Sequence, residues 1–166
     1  MSEKAEFQCL RCSTCCRNLL ENQNNVLRGL PLTEKETSLF PPEAVAPKLA
    51  LGVDKPEKVI LFQLKVGCCP FVNNQNECQI YPKRPLMCKS FPIVAGSISN
   101  RCRVFSFRKS GLTYDELYSM KTQLEASDRF TRYLQSGMRK RNQKRMKIWE
   151  FDLTTRKWIP GRLFEE

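Results

Sequence analysis

The chain has 166 residues, 41% of them hydrophobic, enough for one packed core and not comfortably enough for two. Nine cysteines and no histidine exclude mixed Cys/His zinc sites and every mechanism that needs an imidazole base or proton shuttle. The formal charge of +11 is uneven, with eight basic against eight acidic residues in 1–60, eight against one in 61–110 and twelve against eight in 111–166; thiolates bound to metal would lower it, so basicity by itself points only modestly to an anionic partner.

The opening MSEKAEFQCLRC lacks the apolar run of a signal peptide, and no stretch approaches the roughly 20 apolar residues of a membrane span. A cytoplasmic protein with no membrane association is expected, and in a reducing compartment closely spaced cysteines point to metal ligation before disulfides. After CLRCSTCC (9–16) comes a polar stretch, then LPLTEKETSLF, where Thr33 and Glu36 form a capping box that starts a short helix near Glu34. Pro41, Pro42 and Pro47 make 41–57 a loop with at most one helical turn. KVILFQLKV (58–66) reads as a strand. Residues 68–92 hold four cysteines and four prolines and read as shaped loop, with a tight turn between Phe71 and Cys78. Two short strands are expected over 93–98 and 102–107. A second capping box, Thr113 to Glu116, opens a helical segment whose apolar residues recur at Leu117, Met120, Leu124, Phe130, Tyr133 and Leu134, read either as one helix or as two divided near Ser127. The end reads as a hairpin turning at Thr154 to Arg156, with Trp149, Phe151 and Trp158 stacking across it. These elements give an α+β fold, a small single domain with Cys-rich metal-binding loops, short strands and a C-terminal helix plus hairpin. It is organised as a Cys-rich metal-binding part, 1–110, and a helical, basic extension, 111–166, packed on it.

In a CxxC turn two thiolates converge on one metal at about 2.3 Å while backbone N–H groups solvate the charge. Cys9 with Cys12 fits, and Cys12 with Cys15 repeats it, so the CxxCxxC run also resembles three ligands of a cubane cluster whose fourth comes from a distance. Cys16 is harder to place: side chains of neighbours on an extended backbone point apart, so one of Cys15 and Cys16 serves another centre or none. Cys69, Cys78, Cys88 and Cys102 complete a candidate ligand set of Cys9, Cys12, Cys15, Cys16, Cys69, Cys78, Cys88 and Cys102. Cys68 reads equally well as a packed small hydrophobe. Eight thiolates suit two four-thiolate zinc ions, or one [4Fe–4S] cluster with spare thiolates. Pro82 and Pro85 fix the backbone around Arg84, whose guanidinium there can bond thiolates or carbonyls and offset site charge, unless it is a solvated turn residue. Tyr81 and Arg84 are the candidate cofactor-binding pair, and Phe71, Tyr81 and Phe91 the apolar wall of the site.

FQCLRCSTCCRN, CPFVNNQNECQIYPKRPLMCKSFP and one downstream cysteine together resemble the CxxCxxCC zinc- or iron-chelating domain family, itself related to flagellin lysine N-methylase. The family pattern falls on Phe7, Cys9, Cys12, Cys15, Cys16, Leu32, Thr33, Cys69, Pro70, Phe71, Cys78, Ile80, Tyr81, Arg84, Pro85, Cys88, Phe91, Pro92 and Cys102, roughly residues 7 to 105. Thr14 stands where members often have Gly and Lys89 where they have Arg, and Cys68 and the basic extension lie outside the pattern. The resemblance implies a metal-binding protein, and the CxxCxxC spacing tilts the expectation to an iron–sulfur cluster over zinc, in an accessory, redox or structural role. Two alternatives stand beside it. MRKRNQKRMK (138–147) holds six basic residues and no acidic one, with Trp149, Phe151 and Trp158 following, so it reads either as a solvated helix face or as a contact for RNA or an acidic protein. The relation to flagellin N-methylase suggests lysine methylation with S-adenosylmethionine, which the absence of a GxG pair and of a CxxxCxxC triad disfavours. No general base stands out, and whether the protein is an enzyme stays open.

Overall fold

The computed structural model describes residues 7, 9–94, 97–99, 101–102 and 113–161, with helices and strands in the α+β mixture expected. The cysteine run ends in one helical turn, α1 (Thr14–Arg17). The polar stretch after it forms a hairpin, β1 (Glu21–Gln23) and β2 (Val26–Arg28), turning on Asn24 and Asn25 at φ 52° and 62°, the left-handed pair that a two-residue hairpin turn demands. β3 (Pro31–Leu32) follows, then a 3-10 turn (Glu34–Leu39) where the Glu36 carboxylate accepts the Thr33 N–H at 2.8 Å, as the capping box predicts.

Residues expected as loop over 41–57 are instead largely a strand, β4 (Val45–Gly52), preceded by a 3-10 turn at Pro42–Ala44. Pro47 is tolerated because pairing with β5 (Lys58–Leu64) slips between Pro47 and Leu49. The Pro47 carbonyl is taken at 2.8 Å by the buried Gln63 side chain. Residues 68–92 contain the expected turn, closed by an antiparallel bridge between Val72 and Cys78, and also a five-residue helix, α2 (Leu86–Ser90), that the prolines concealed. The single strand expected over 93–98 is instead two short ones, β6 (Ile93–Val94) and β7 (Ser97–Ile98), paired antiparallel with each other. The strand expected over 102–107 lies, beyond Cys102, outside the described residues. The long helix divides at Met120, not near Ser127, into α3 (Tyr114–Ser119) and α4 (Lys121–Lys144). Met120 is fully buried, so the break is where the chain turns its apolar side inward. The terminal hairpin is β8 (Lys147–Asp152) with β9 (Lys157–Pro160).

Five strands form one antiparallel sheet in the order β3-β5-β4-β8-β9. The last two come from the C-terminal segment, which therefore continues the sheet that begins near residue 31. Phe130, Tyr133, Leu134 and Met138 of α4, at helical spacing, pack on Leu49, Leu51, Ile60, Leu61 and Ile148. A second core of Leu19, Leu32, Phe40, Ala44 and Leu64 lies beneath the cysteine loops, and a third joins Ile93 and Met120 to Phe7, Ile98 and Cys102. Each fully buried leucine contributes about 2 kcal/mol. Gly29 joins β2 to β3, and a Cβ there would lie 1.7 Å from the Leu64 carbonyl oxygen, so only glycine permits this crossing. Among the described residues no helix is long and apolar enough to cross a membrane.

Candidate metal centre

The cysteine run is shaped by its own backbone. Arg11 and Ser13 adopt left-handed φ values of 50° and 56° on either side of Cys12, costly for non-glycine residues and typical of a loop shaped around a site. The Arg11 N–H points at Cys9 Sγ at 3.4 Å, the N–H to sulfur contact of a metal-binding knuckle. Cys15 and Cys16 do not splay as they would on an extended chain: α1 coils them, and their sulfurs lie 3.9 Å apart.

Two kinds of bond dock this run on the second cysteine segment. Cys69 N–H donates to the Cys16 carbonyl at 2.8 Å, and Leu19 N–H to Gly67 at 2.9 Å. The buried Ser13 hydroxyl bonds Asn76 Oδ1 at 2.9 Å and accepts Arg17 Nε at 3.0 Å, while Arg17 also reaches the Asn73 carbonyl at 3.0 Å. Ser13, Arg17 and Asn76 thus lock the CxxCxxCC loop to the 73–77 turn between Cys69 and Cys78. Arg101 donates to the Asn18 carbonyl, tying in the segment of Cys102. Glu36 spans two elements: besides its capping bond, it accepts the N–H of Leu86, first residue of α2, at 2.7 Å. It therefore fixes the helix that carries Cys88.

These contacts enclose a cavity of about 830 Å³, and eight cysteines line it: Cys9, Cys12, Cys15, Cys16, Cys69, Cys78, Cys88 and Cys102. Cys68, the ninth, lies outside it, exposed, with Arg17 3.9 Å from its sulfur. Among the described residues no disulfide joins the nine, and no three thiols or carboxylates are drawn together at ligand distances. Four of these thiols are nevertheless shifted by their neighbours and by burial. Cys15 is lowered to about 7, chiefly by the hydrogen bond from Cys16 and with help from the Arg84 guanidinium, against the effect of burial. Cys16 is pushed up by donating that bond, by burial and by the fields of Cys15, Cys88 and Cys69. Burial raises Cys88 to about 12, and raises Cys69, with Cys78 adding to both. The resistance of Cys16, Cys69 and Cys88 to ionising beside one another is one that a bound cation would relieve. The donor set is therefore chemically suited to a thiophilic metal.

Arg84 follows a 3-10 turn (Tyr81–Lys83); its Nε donates to the Tyr81 carbonyl at 3.0 Å and its guanidinium lies 3.7 Å from the centre of the Tyr81 ring. Both line the cavity, as does Phe91. Phe71 does not: its ring packs 5.3 Å from Phe40 in the core behind the wall. The basic run 138–147 occupies the last turns of α4 and the start of β8. The expected three-ring stack reduces to Phe151 edge-on to Trp158 at 5.3 Å, because the Trp149 indole N–H turns to the Gly52 carbonyl at 3.2 Å.

An α+β scaffold whose loops gather eight thiols around one cavity defines a thiol-rich chelating domain. Residues 8–132 match the model of the CxxCxxCC family, described as "Putative zinc- or iron-chelating domain", and the chain belongs to that family. No curated protein and no solved structure matches it.

Proposed function

We propose that the protein holds an iron–sulfur cluster through cysteine thiolates, in a redox or structural accessory role, with zinc as the competing occupant. The observation that carries the reading is that eight of the nine cysteines wall a single cavity, from segments as distant as Cys9 and Cys102. Cys9, Cys12 and Cys15 have the spacing of three cluster ligands, and Cys88 or Cys69 would supply a fourth. Such a cluster would supply one-electron chemistry, whereas zinc would pin the loops. Arg84, whose charge reaches Cys15 and Cys88, would offset the thiolates, with Tyr81 holding its guanidinium in place. The Arg11 N–H would stabilise the Cys9 thiolate.

Serine substitution tests the ligand set. C15S and C88S should each lower the iron or zinc retained per chain after anaerobic purification, while C68S should leave it unchanged. Equal metal content in all three variants would remove the proposal.

A further inference from the structure

One partly buried cation on the same cavity is not accounted for by the thiols. Lys48 lies on β4 in the middle of the sheet, and it lines the cavity together with Glu21 and Arg28. Protein encloses its amine on most sides, and its hydrogen bond is a long one, 3.4 Å to the Gly29 carbonyl. The acid whose charge acts most on it is already taken: Arg28 grips the buried Glu150 with both Nε and Nη2, the latter at 3.0 Å from Oε2. Among the described residues no carboxylate stands within ion-pair distance of the Lys48 amine. Burial therefore lowers Lys48 to about 8, the Arg28 charge adding to the effect and the carboxylates of Glu150 and Glu21 opposing it.

Even a partly buried lysine without a carboxylate partner is costly, and a leucine or methionine would fill the space at less cost. The cavity is also far roomier than a metal centre needs: about 830 Å³ falls in the range of small-molecule sites, with Leu19, Leu30 and Phe40 among its apolar lining. We infer that the sheet end of the cavity is a binding site for a small organic oxyanion, carboxylate or phosphate, whose charge is met by the ammonium of Lys48. Arg28, held by Glu150, orders the surroundings of that amine. Gln63, bonding the Gly29 N–H at 2.8 Å, fixes the carbonyl on which the amine rests. The inference stands apart from the identity of the metal.

Calorimetric titration of the full-length protein, metal retained, with malonate in one arm and inorganic phosphate in the other tests it and separates the two ligand sources. Saturable binding of one probe is expected, weakened at least about tenfold in K48M and unchanged in the exposed-lysine control K58M. K48M should keep its metal content and melt higher than wild type at pH 7, the combination that a purely structural lysine would not give. A variant-free check is protection: the bound probe should slow trace acetylation of Lys48 in the wild-type chain, read by peptide mass spectrometry. No binding of either probe up to about 10 mM, K48M binding like wild type, or no protection of Lys48 would overturn the inference. Anion binding by a metal-free preparation would leave it standing and remove the metal reading instead.

Discussion

Glu36 offers the sharpest test of how the fold presents its thiols. Its two carboxylate oxygens each hold a backbone N–H, Thr33 at 2.8 Å and Leu86 at 2.7 Å, joining the 3-10 turn at Glu34–Leu39 to the helix that bears Cys88. A hydrogen bond to an ionised acceptor contributes about 1.5–3 kcal/mol. Removing both in E36A leaves two helix-start donors without their acceptor, and water reaching these part-buried sites recovers some of that loss. The expected cost is about 2–3 kcal/mol. E36Q keeps one acceptor oxygen but turns an NH₂ toward the other donor, so it should lose about half as much. In urea unfolding, with slopes of about 1–3 kcal/mol/M for a domain of this size, the E36A midpoint should fall by about 1–2 M at unchanged slope. The variant should also surrender metal to a chelator faster, because α2 is freed. An E36A protein within about 0.5 kcal/mol of wild type would refute the claim that this carboxylate couples the two elements.

Three further outcomes follow from the same geometry. G29A should be destabilised by several kcal/mol or fail to accumulate, since its methyl would sit 1.7 Å from the Leu64 carbonyl oxygen, a backbone atom that cannot step aside; wild-type stability by thermal melt would contradict the crossing described. Asp152 accepts the Leu27, Thr154 and Thr155 N–H groups and the Thr155 hydroxyl, and these bonds outweigh burial and hold its carboxyl below the usual range. Its contribution is full above the unfolded value near 4 and is lost as pH falls through the depressed folded value, so D152N should flatten the acid limb of a stability–pH profile, and an unaltered limb would count against it. Lys48 runs the other way: folded near 8 and unfolded near 10.5, it binds fewer protons in the native state between those values, so stability should climb as pH rises across that window. The full shift corresponds to about 3 kcal/mol, reduced to about 2 by solvent reaching the amine through the cavity, and K48M should abolish the climb in denaturant titrations.

Features written in a few consecutive residues were legible in the sequence, and features made by distant partners were not. The capping boxes at Thr33 and Thr113, the strand at 58–64, the turn inside 71–78 and the terminal hairpin all depend on local chemistry, and all form. β4 was hidden by Pro47, because what lets a proline sit there is a register slip and the side chain of Gln63, 16 positions away. The β1–β2 hairpin gave no alternation to read, since its first strand is wholly exposed; its signal was the Asn24-Asn25 pair alone. The break at Met120 escaped notice because helical periodicity runs through it. For the site, spacing named the cysteines that border the cavity and set Cys68 aside as ambiguous. It could not reveal the Ser13, Arg17 and Asn76 lock, the Glu36 bridge to Leu86, or the Arg28–Glu150 pair, 122 positions apart. Only the fold brings those polar groups together.

The central claim is that the thiols around this cavity hold metal. Metal analysis and an absorption spectrum of the anaerobically purified full-length protein, paired with a count of alkylatable thiols before and after chelation, test it most directly. The account predicts stoichiometric iron with a broad band near 400 nm, or stoichiometric zinc without colour, and at least four cysteines that react only once the metal is removed. A folded, metal-free protein whose nine thiols all react at once would contradict it.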